Sequence, residues 1–228
     1  MMQTDLRIKR TKADLREALI DLISEKGFDA VTVGDIAERA MINRATFYRH
    51  YHDKYELVTS IFQESVDKLL SELGHPPDDM DAIYQWHNEI FAESYLENPN
   101  SVSPKVQSAI EAWIKFFEHF AKYARLYQAM LGRRGSAWFT AQLIDYLKNS
   151  FYKNIKVKKK LPLQRSDNDM PLDVGLACLA SWPVSVLTWW LENGMEYSPR
   201  QMAVWTLCGT YRGIHRAMGV NLTSSKDK

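Results

Sequence analysis

The chain has 228 residues, with 29 Lys and Arg against 28 Asp and Glu and a formal net charge of +1. That length is enough for a small domain plus a larger one with a good core. The balanced charge excludes a chain-wide basic field, so any affinity for nucleic acid has to come from a local patch.

The pattern is helical throughout. A first helix is expected from about Lys12 to Lys26, capped by Thr11 and ended by Gly27, with Leu15, Leu19, Leu22 and Ile23 on its inner face. Arg7, Lys9, Arg10, Lys12 and Arg16 supply a basic cluster before and within it, as an arm up to Thr11. Two short helices follow, Val33–Ala40 and Arg44–Tyr51, joined by Met41, Ile42 and Asn43. Thr32 and Asp35 have the spacing of a capping box, and Asn43 is a good cap for the second short helix. A fourth helix is expected over 54–73, stopped by Gly74-His75-Pro76-Pro77. Further helices are expected over about 79–97, from Ser103-Pro104 through Phe120, over 136–155, over 171–193 with a kink at Pro183, and from Ser198-Pro199 to near Gly219. A short helical piece covers 124–131, and 156–169 reads as a charged loop. The fold class is therefore all-α, about nine helices, with a three-helix helix-turn-helix head over residues 1–53 and a larger helical domain over 54–228.

The window Thr32–Lys54 carries the chemistry. Phe47 and Tyr51 are four apart and share a face that can anchor the second short helix to a core. This leaves Arg44, Ala45, Thr46, Tyr48, Arg49 and His50 for outward work. An Arg at the start of such a helix can reach guanine O6 and N7 in bidentate fashion, and hydroxyls can donate to phosphate oxygens. Ala45 or the Thr46 methyl can touch a thymine methyl, and His50 and Lys54 can add phosphate contacts. The candidate contacts to double-stranded DNA are thus Thr32, Asn43, Arg44, Ala45, Thr46, Tyr48, Arg49, His50 and Lys54.

This segment resembles the DNA-binding domain of the TetR/AcrR family of transcriptional regulators. The resemblance rests on Gly27-Phe28, Thr32-Val33, Asp35-Ile36-Ala37, Ala45-Thr46-Phe47-Tyr48, His50-Tyr51, Asp53-Lys54 and Glu56-Leu57. It implies that Thr32, Arg44, Ala45, Thr46, Tyr48, His50 and Lys54 lie at the DNA, and that nine helices include three in the head. Two positions depart from the family. Met41 stands where Gly is common, a residue favoured there because it tolerates positive φ. Gly34 stands where many relatives carry a longer side chain.

A recognition helix this short touches few base pairs, and such modules pair on half-sites about 34–36 Å apart. A homodimer interface is therefore expected. The last two long helices are the candidates, with Leu176, Leu179, Leu187, Trp190, Trp205, Cys208, Gly209, Tyr211 and Gly213 as interface residues. Two helices from each subunit forming that interface is what the resemblance implies. Between the middle helices, Trp86, His87, Phe91, Trp113, Phe117, Phe120, Tyr123, Tyr127 and Trp138 form an aromatic set that suits either a small-molecule effector site or plain core. The family's members typically bind an effector there. The two cysteines, Cys178 and Cys208, read as small buried hydrophobes in a reducing compartment.

The six His show no metal-ligand spacing, and nothing resembles a P-loop, a dinucleotide-binding glycine motif or a nucleophile elbow. No uninterrupted apolar run is long enough for a bilayer, and no signal-peptide pattern opens the chain. The expectation is a cytoplasmic transcriptional regulator, not an enzyme, with no cofactor, metal or membrane partner. Its expected partners are a palindromic operator, an unknown small-molecule effector and its own copy. The favoured reading is a ligand-responsive repressor; the alternatives are an activator, or a co-regulator that keeps the fold but binds protein.

Overall fold

The structure is a computed structural model that describes residues 2–73, 104–157 and 170–210. Among these residues there are nine helices and no strand. They are α1 (Met2–Lys26), α2 (Val33–Arg39), α3 (Arg44–Tyr48), α4 (Lys54–Leu73), α5 (Pro104–Lys122), α6 (Ala124–Leu131), α7 (Ala137–Val157), α8 (Leu172–Glu192) and α9 (Pro199–Thr210). The helix expected over 79–97, with Trp86, His87 and Phe91, lies outside the described residues, as do Tyr211, Gly213 and the Cys208 side chain.

By packing, the chain divides into two compact units, one of residues 1–69 with 123–142 and one of residues 70–122 with 143–228. In the first unit Leu15, Leu19 and Ile23 of α1 are fully buried with Ile36 of α2, Phe47 of α3 and Leu57, Val58 and Ile61 of α4. α6 belongs to this unit because Arg125 pairs with Glu17 and Asp21 of α1. The turn after it is tied in by Phe28 N–H, which donates to the Arg134 carbonyl at 2.8 Å. Phe62 also meets Trp138 and Phe139 edge-on at 6.3 and 5.3 Å.

α1 begins ten residues before the expected start at Lys12. Thr11 looks like an N-cap in the sequence, but its hydroxyl donates to the carbonyl four residues back, Arg7, at 3.0 Å. Threonine makes that bond inside a helix just as readily as it caps one. Gly27 does end α1, in the left-handed region at φ 82°. α3 stops at Tyr48 rather than Tyr51, because the His50 amide closes on the Phe47 carbonyl, three residues back, at 2.8 Å. Ser136 caps α7, and Ser198 with Gln201 forms the expected box at α9.

In the second unit the core gathers Ile110, Phe117 and Phe120 of α5, Leu143 and Leu147 of α7, Leu176, Leu179, Leu187 and Trp190 of α8, and Met202, Ala203 and Val204 of α9. Pro183 sits inside α8, buried. α8 is long and apolar enough to cross a bilayer, with a mean hydropathy of 1.5 over its most apolar window, half of which is buried. The run is not uninterrupted: Asp173, Ser181, Ser185 and Thr188 fall within the helix. The buried side chains above account for its inward apolar face.

Candidate nucleic-acid interface

The head is built by caps that the local sequence dictates. The Thr32 hydroxyl accepts from Asp35 N–H at 3.2 Å, and the Asp35 carboxylate accepts from Thr32 N–H at 2.7 Å, a complete capping box for α2. The Thr32 hydroxyl proton also goes to Asp35, at 2.6 Å. Lys26 reaches the same carboxylate at 2.7 Å. Lys26 first, then the Thr32 hydroxyl and amide, hold the Asp35 carboxyl well below the usual carboxylate range. Thr32 is therefore spent on folding α2; a phosphate there would have to take over its hydroxyl.

The turn between α2 and α3 is a Schellman motif. Met41 N–H donates to the Glu38 carbonyl at 3.0 Å and Ile42 N–H to the Ala37 carbonyl at 2.9 Å. That geometry needs a left-handed residue, and Met41 supplies it at φ 53°. The glycine-type turn is thus kept without its glycine, and Met41 stands 92% exposed at the tip.

Asn43 then caps α3, its side chain accepting from Ala45 N–H at 2.9 Å. Phe47 is fully buried and Tyr51 nearly so, their ring centroids 5.9 Å apart, so the back of α3 is fixed by the core. Arg44, Ala45, Tyr48 and Arg49 are exposed, with Thr46 and His50 half-buried beside them. Arg49 donates to the Thr46 hydroxyl at 2.8 Å, which leaves that hydroxyl's own proton to give. Burial first, then the charges of Lys12 and Arg49, lowers the His50 imidazole from its ordinary range. At neutral pH His50 is an uncharged hydrogen-bond partner rather than a cation.

The cations around α3 differ in what they have left to give. Arg39 pairs with Glu25 at 2.7 Å. Lys54 donates to three carbonyls, Phe28 at 2.9 Å, Asp29 at 3.1 Å and Val31 at 2.9 Å. Its ammonium also lies 4.5 Å from the Phe28 ring centroid. An ammonium has three protons, so Lys54 as it stands clamps the 28–31 loop to α4 and has none over for phosphate. Arg44, by contrast, has no hydrogen bond or ion pair among the described residues. Its guanidinium lies in the space that a side chain on Gly34 would fill, 2.3 Å from an ideal Cβ there. Sequence reasoning flagged Gly34 as a departure without seeing this contact, which joins residues ten apart.

The other expected sets are placed less uniformly. Phe117 and Phe120 are fully buried in the second unit, Phe117 against Trp190 at 5.5 Å, with Trp113 half-buried at 5.3 Å from Phe116. Tyr123, Tyr127 and Trp138 belong to the first unit instead. Of the expected dimer residues, Leu176, Leu179, Leu187 and Trp190 are buried in the protomer's own core, while Trp205 and Gly209 are exposed. The exposed stripe of α8 is Val174, Trp182, Ser185 and Trp189, with Cys178 half-buried among them.

A capped α2, a Schellman turn and an α3 anchored by Phe47, with donors turned outward, define a helix-turn-helix protein. The comparisons agree. Residues 15–61 match the family described as bacterial regulatory proteins, tetR family, and residues 107–206 match a transcriptional regulator C-terminal region. The chain belongs to the tetR family. It is 38% identical over 72 residues to the uncharacterized HTH-type transcriptional regulator YxbF of Bacillus subtilis, covering 31% of this chain and 19% of that one. It is 27% identical over 110 residues to the HTH-type dhaKLM operon transcriptional activator DhaS of Lactococcus lactis, covering 48% and 54%. With the HTH-type transcriptional repressor Rv3405c of Mycobacterium tuberculosis it shares 29% over 87 residues, covering 37% and 46%. The chain thus spans from about a fifth to about half the length of these curated relatives. A TetR transcriptional regulator of Streptococcus agalactiae shares its fold, with a TM-score of 0.57 at 19% identity over 92% of this chain and 98% of that one. A TetR-family regulator of Syntrophomonas wolfei does too, at 0.55 and 16%, over 96% and 99%.

Proposed function

We propose that this protein is a DNA-binding transcriptional regulator, a homodimeric, ligand-responsive repressor acting at a palindromic operator. The observation that carries it is the unspent donor set on α3, above all Arg44, on a helix whose opposite side Phe47 locks into the core. Residues 1–53 act as the reading head and 54–228 as the effector and dimer domain, with α4 contributing to both packing units.

The reading roles divide by chemistry. Arg44 reads a base edge, Tyr48 and Thr46 donate to phosphate, Ala45 meets a thymine methyl, and Asn43 and Thr32 hold the helix starts. The dimer face is the exposed stripe of α8 around Trp182 and Trp189 with Trp205 of α9, not the buried leucines beside them. An effector in the larger domain, near the half-buried Trp113, favours one of two spacings of the paired heads and so lowers operator affinity. It shifts that equilibrium only by its differential affinity for the two states. Repression against activation is set by where the operator lies; the relatives include the activator DhaS and the repressor Rv3405c.

The test is selection of operators from randomised duplexes, followed by titration across salt concentrations. Arg44→Ala is expected to weaken binding and relax one base position by about 1–3 kcal/mol, a factor of roughly 5–150. Binding by the protein should fall steeply with salt, as phosphate contacts require. Weak, salt-insensitive binding would favour the protein-binding co-regulator instead.

A further inference from the structure

Gly34 is the second residue of α2, and its backbone gives no reason for glycine. It lies inside a regular helix, and among the described residues the left-handed glycines are Gly27 and Gly194. A glycine inside a helix is destabilising relative to alanine. What the glycine does provide is room. An ideal Cβ at 34 would stand 2.3 Å from Arg44 Nη2, 2.9 Å from Cζ and 3.2 Å from Nε, and no other atom ranks among its three nearest.

The guanidinium lies over that notch with no charge partner among the described residues. The nearest acidic neighbour of Gly34 in sequence, Asp35, is committed to Lys26 and Thr32, and Arg44 has no ion pair of its own among the described residues. The seat therefore fixes where the five N–H groups start from without consuming any of them. Ordering a free arginine costs rotamer entropy, and a pre-seated one loses less on binding.

We propose that Gly34 is a specificity-determining position: its missing side chain seats Arg44 across the start of α2 and so fixes the base pair that Arg44 reads. This rests on the DNA-binding reading above. The three atoms nearest a Cβ at 34 all belong to the flexible end of Arg44, so the guanidinium gives way first. Gly34 is a positioning residue acting through Arg44, not a contact itself.

The experiment is a double-mutant cycle read by operator selection and titration. The protein, Gly34→Ala, Arg44→Ala and the double variant are each measured, with thermal unfolding alongside. Gly34→Ala is expected to melt no lower than the parent and to lose much of the roughly 5–150-fold discrimination that a bidentate Arg provides at one base pair. In the Arg44→Ala background the same change should alter nothing further at that position. If the two substitutions act independently, or if Gly34→Ala keeps the parent's preference, the inference is overturned while DNA reading stands. If the parent selects no sequence at all, the DNA-binding reading falls and this inference falls with it.

Discussion

On and just after α3 the exposed long side chains are Arg44, Tyr48 and Arg49, which end in donors; on α8 and α9 the exposed large side chains include Val174, Trp182, Trp189 and Trp205, which are apolar. Both faces are backed by residues locked in a core, Phe47 behind the first and Leu187 and Trp190 behind the second. The difference lies in what each face leaves unsatisfied. Free N–H and O–H groups gain by meeting phosphates and base edges, whereas exposed indoles gain by leaving water. One surface is chemically suited to a polyanion and the other to a second copy of itself.

The comparison breaks most decisively at Trp189, which is 51% exposed and stacked on Tyr197 at 6.2 Å. A two-fold interface uses each residue twice. Trp189→Arg is expected to weaken dimerisation by about 2–4 kcal/mol, roughly 30- to 1,000-fold, the range for an aromatic hot spot. Operator affinity should drop with it while helix content holds. Sedimentation measures the mass; an unchanged dimer that still binds its operator would remove this face from the interface.

Lys54 sharpens the other side. If its three carbonyl bonds define its role, Lys54→Met destabilises the head by about 1–2 kcal/mol, the cost of losing bonds to two part-buried carbonyls and one exposed one. The salt dependence of operator binding by the folded protein should not change. A salt slope smaller by about one unit would show instead that the ammonium moves to a phosphate on binding.

What the sequence revealed and what it hid follow from range. The capping boxes at Thr32 and Ser198, the Asn43 cap and the Gly27 stop were readable because each is settled within four residues. Thr11 misled for the same reason, since a threonine hydroxyl inside a helix can bond back to the carbonyl four residues earlier as well as serve as a cap. Trp189 and Trp190 show a different limit. They are neighbours on α8, about 100° apart around the helix, and one is half exposed while the other is buried. On a helix with apolar residues on most of its sides, pattern alone does not say which side faces the core. The Lys54 clamp and the Gly34–Arg44 notch span too much chain for periodicity to register. The aromatic set was legible as aromatic, but its division between two packing units was not.

A third test probes the larger unit through Glu72. Its carboxylate accepts from Lys122 at 2.6 Å and lies 2.6 Å from Nδ1 of the buried His119. Lys122 most of all, then His119, lowers its pKa below the ordinary 4.5, against the opposing effect of desolvation. A carboxyl lowered on folding adds stability that is fully present above its unfolded value and is lost as pH falls through its folded one. Glu72→Gln should therefore cost about 1–2 kcal/mol near neutrality. The difference from the parent should shrink as pH drops below 4.5. Parallel stability curves across that range would show that Glu72 does not carry the effect.

The smallest expected effect returns to the turn of the head. Met41 holds φ 53° and is 92% exposed, so it bears left-handed strain with no packing to offset it. Such a conformation costs a non-glycine residue about 1–2 kcal/mol, while glycine brings back part of that as unfolded-state entropy. Met41→Gly is expected to stabilise the head by about 0.5–1 kcal/mol, read as a higher midpoint in chemical unfolding with an unchanged slope. Operator preference should stay as it is, because the Schellman bonds from Met41 and Ile42 use only backbone atoms. A loss of affinity with gained stability would mean that the Met41 side chain itself meets the DNA, and that the face on α3 extends back across the turn.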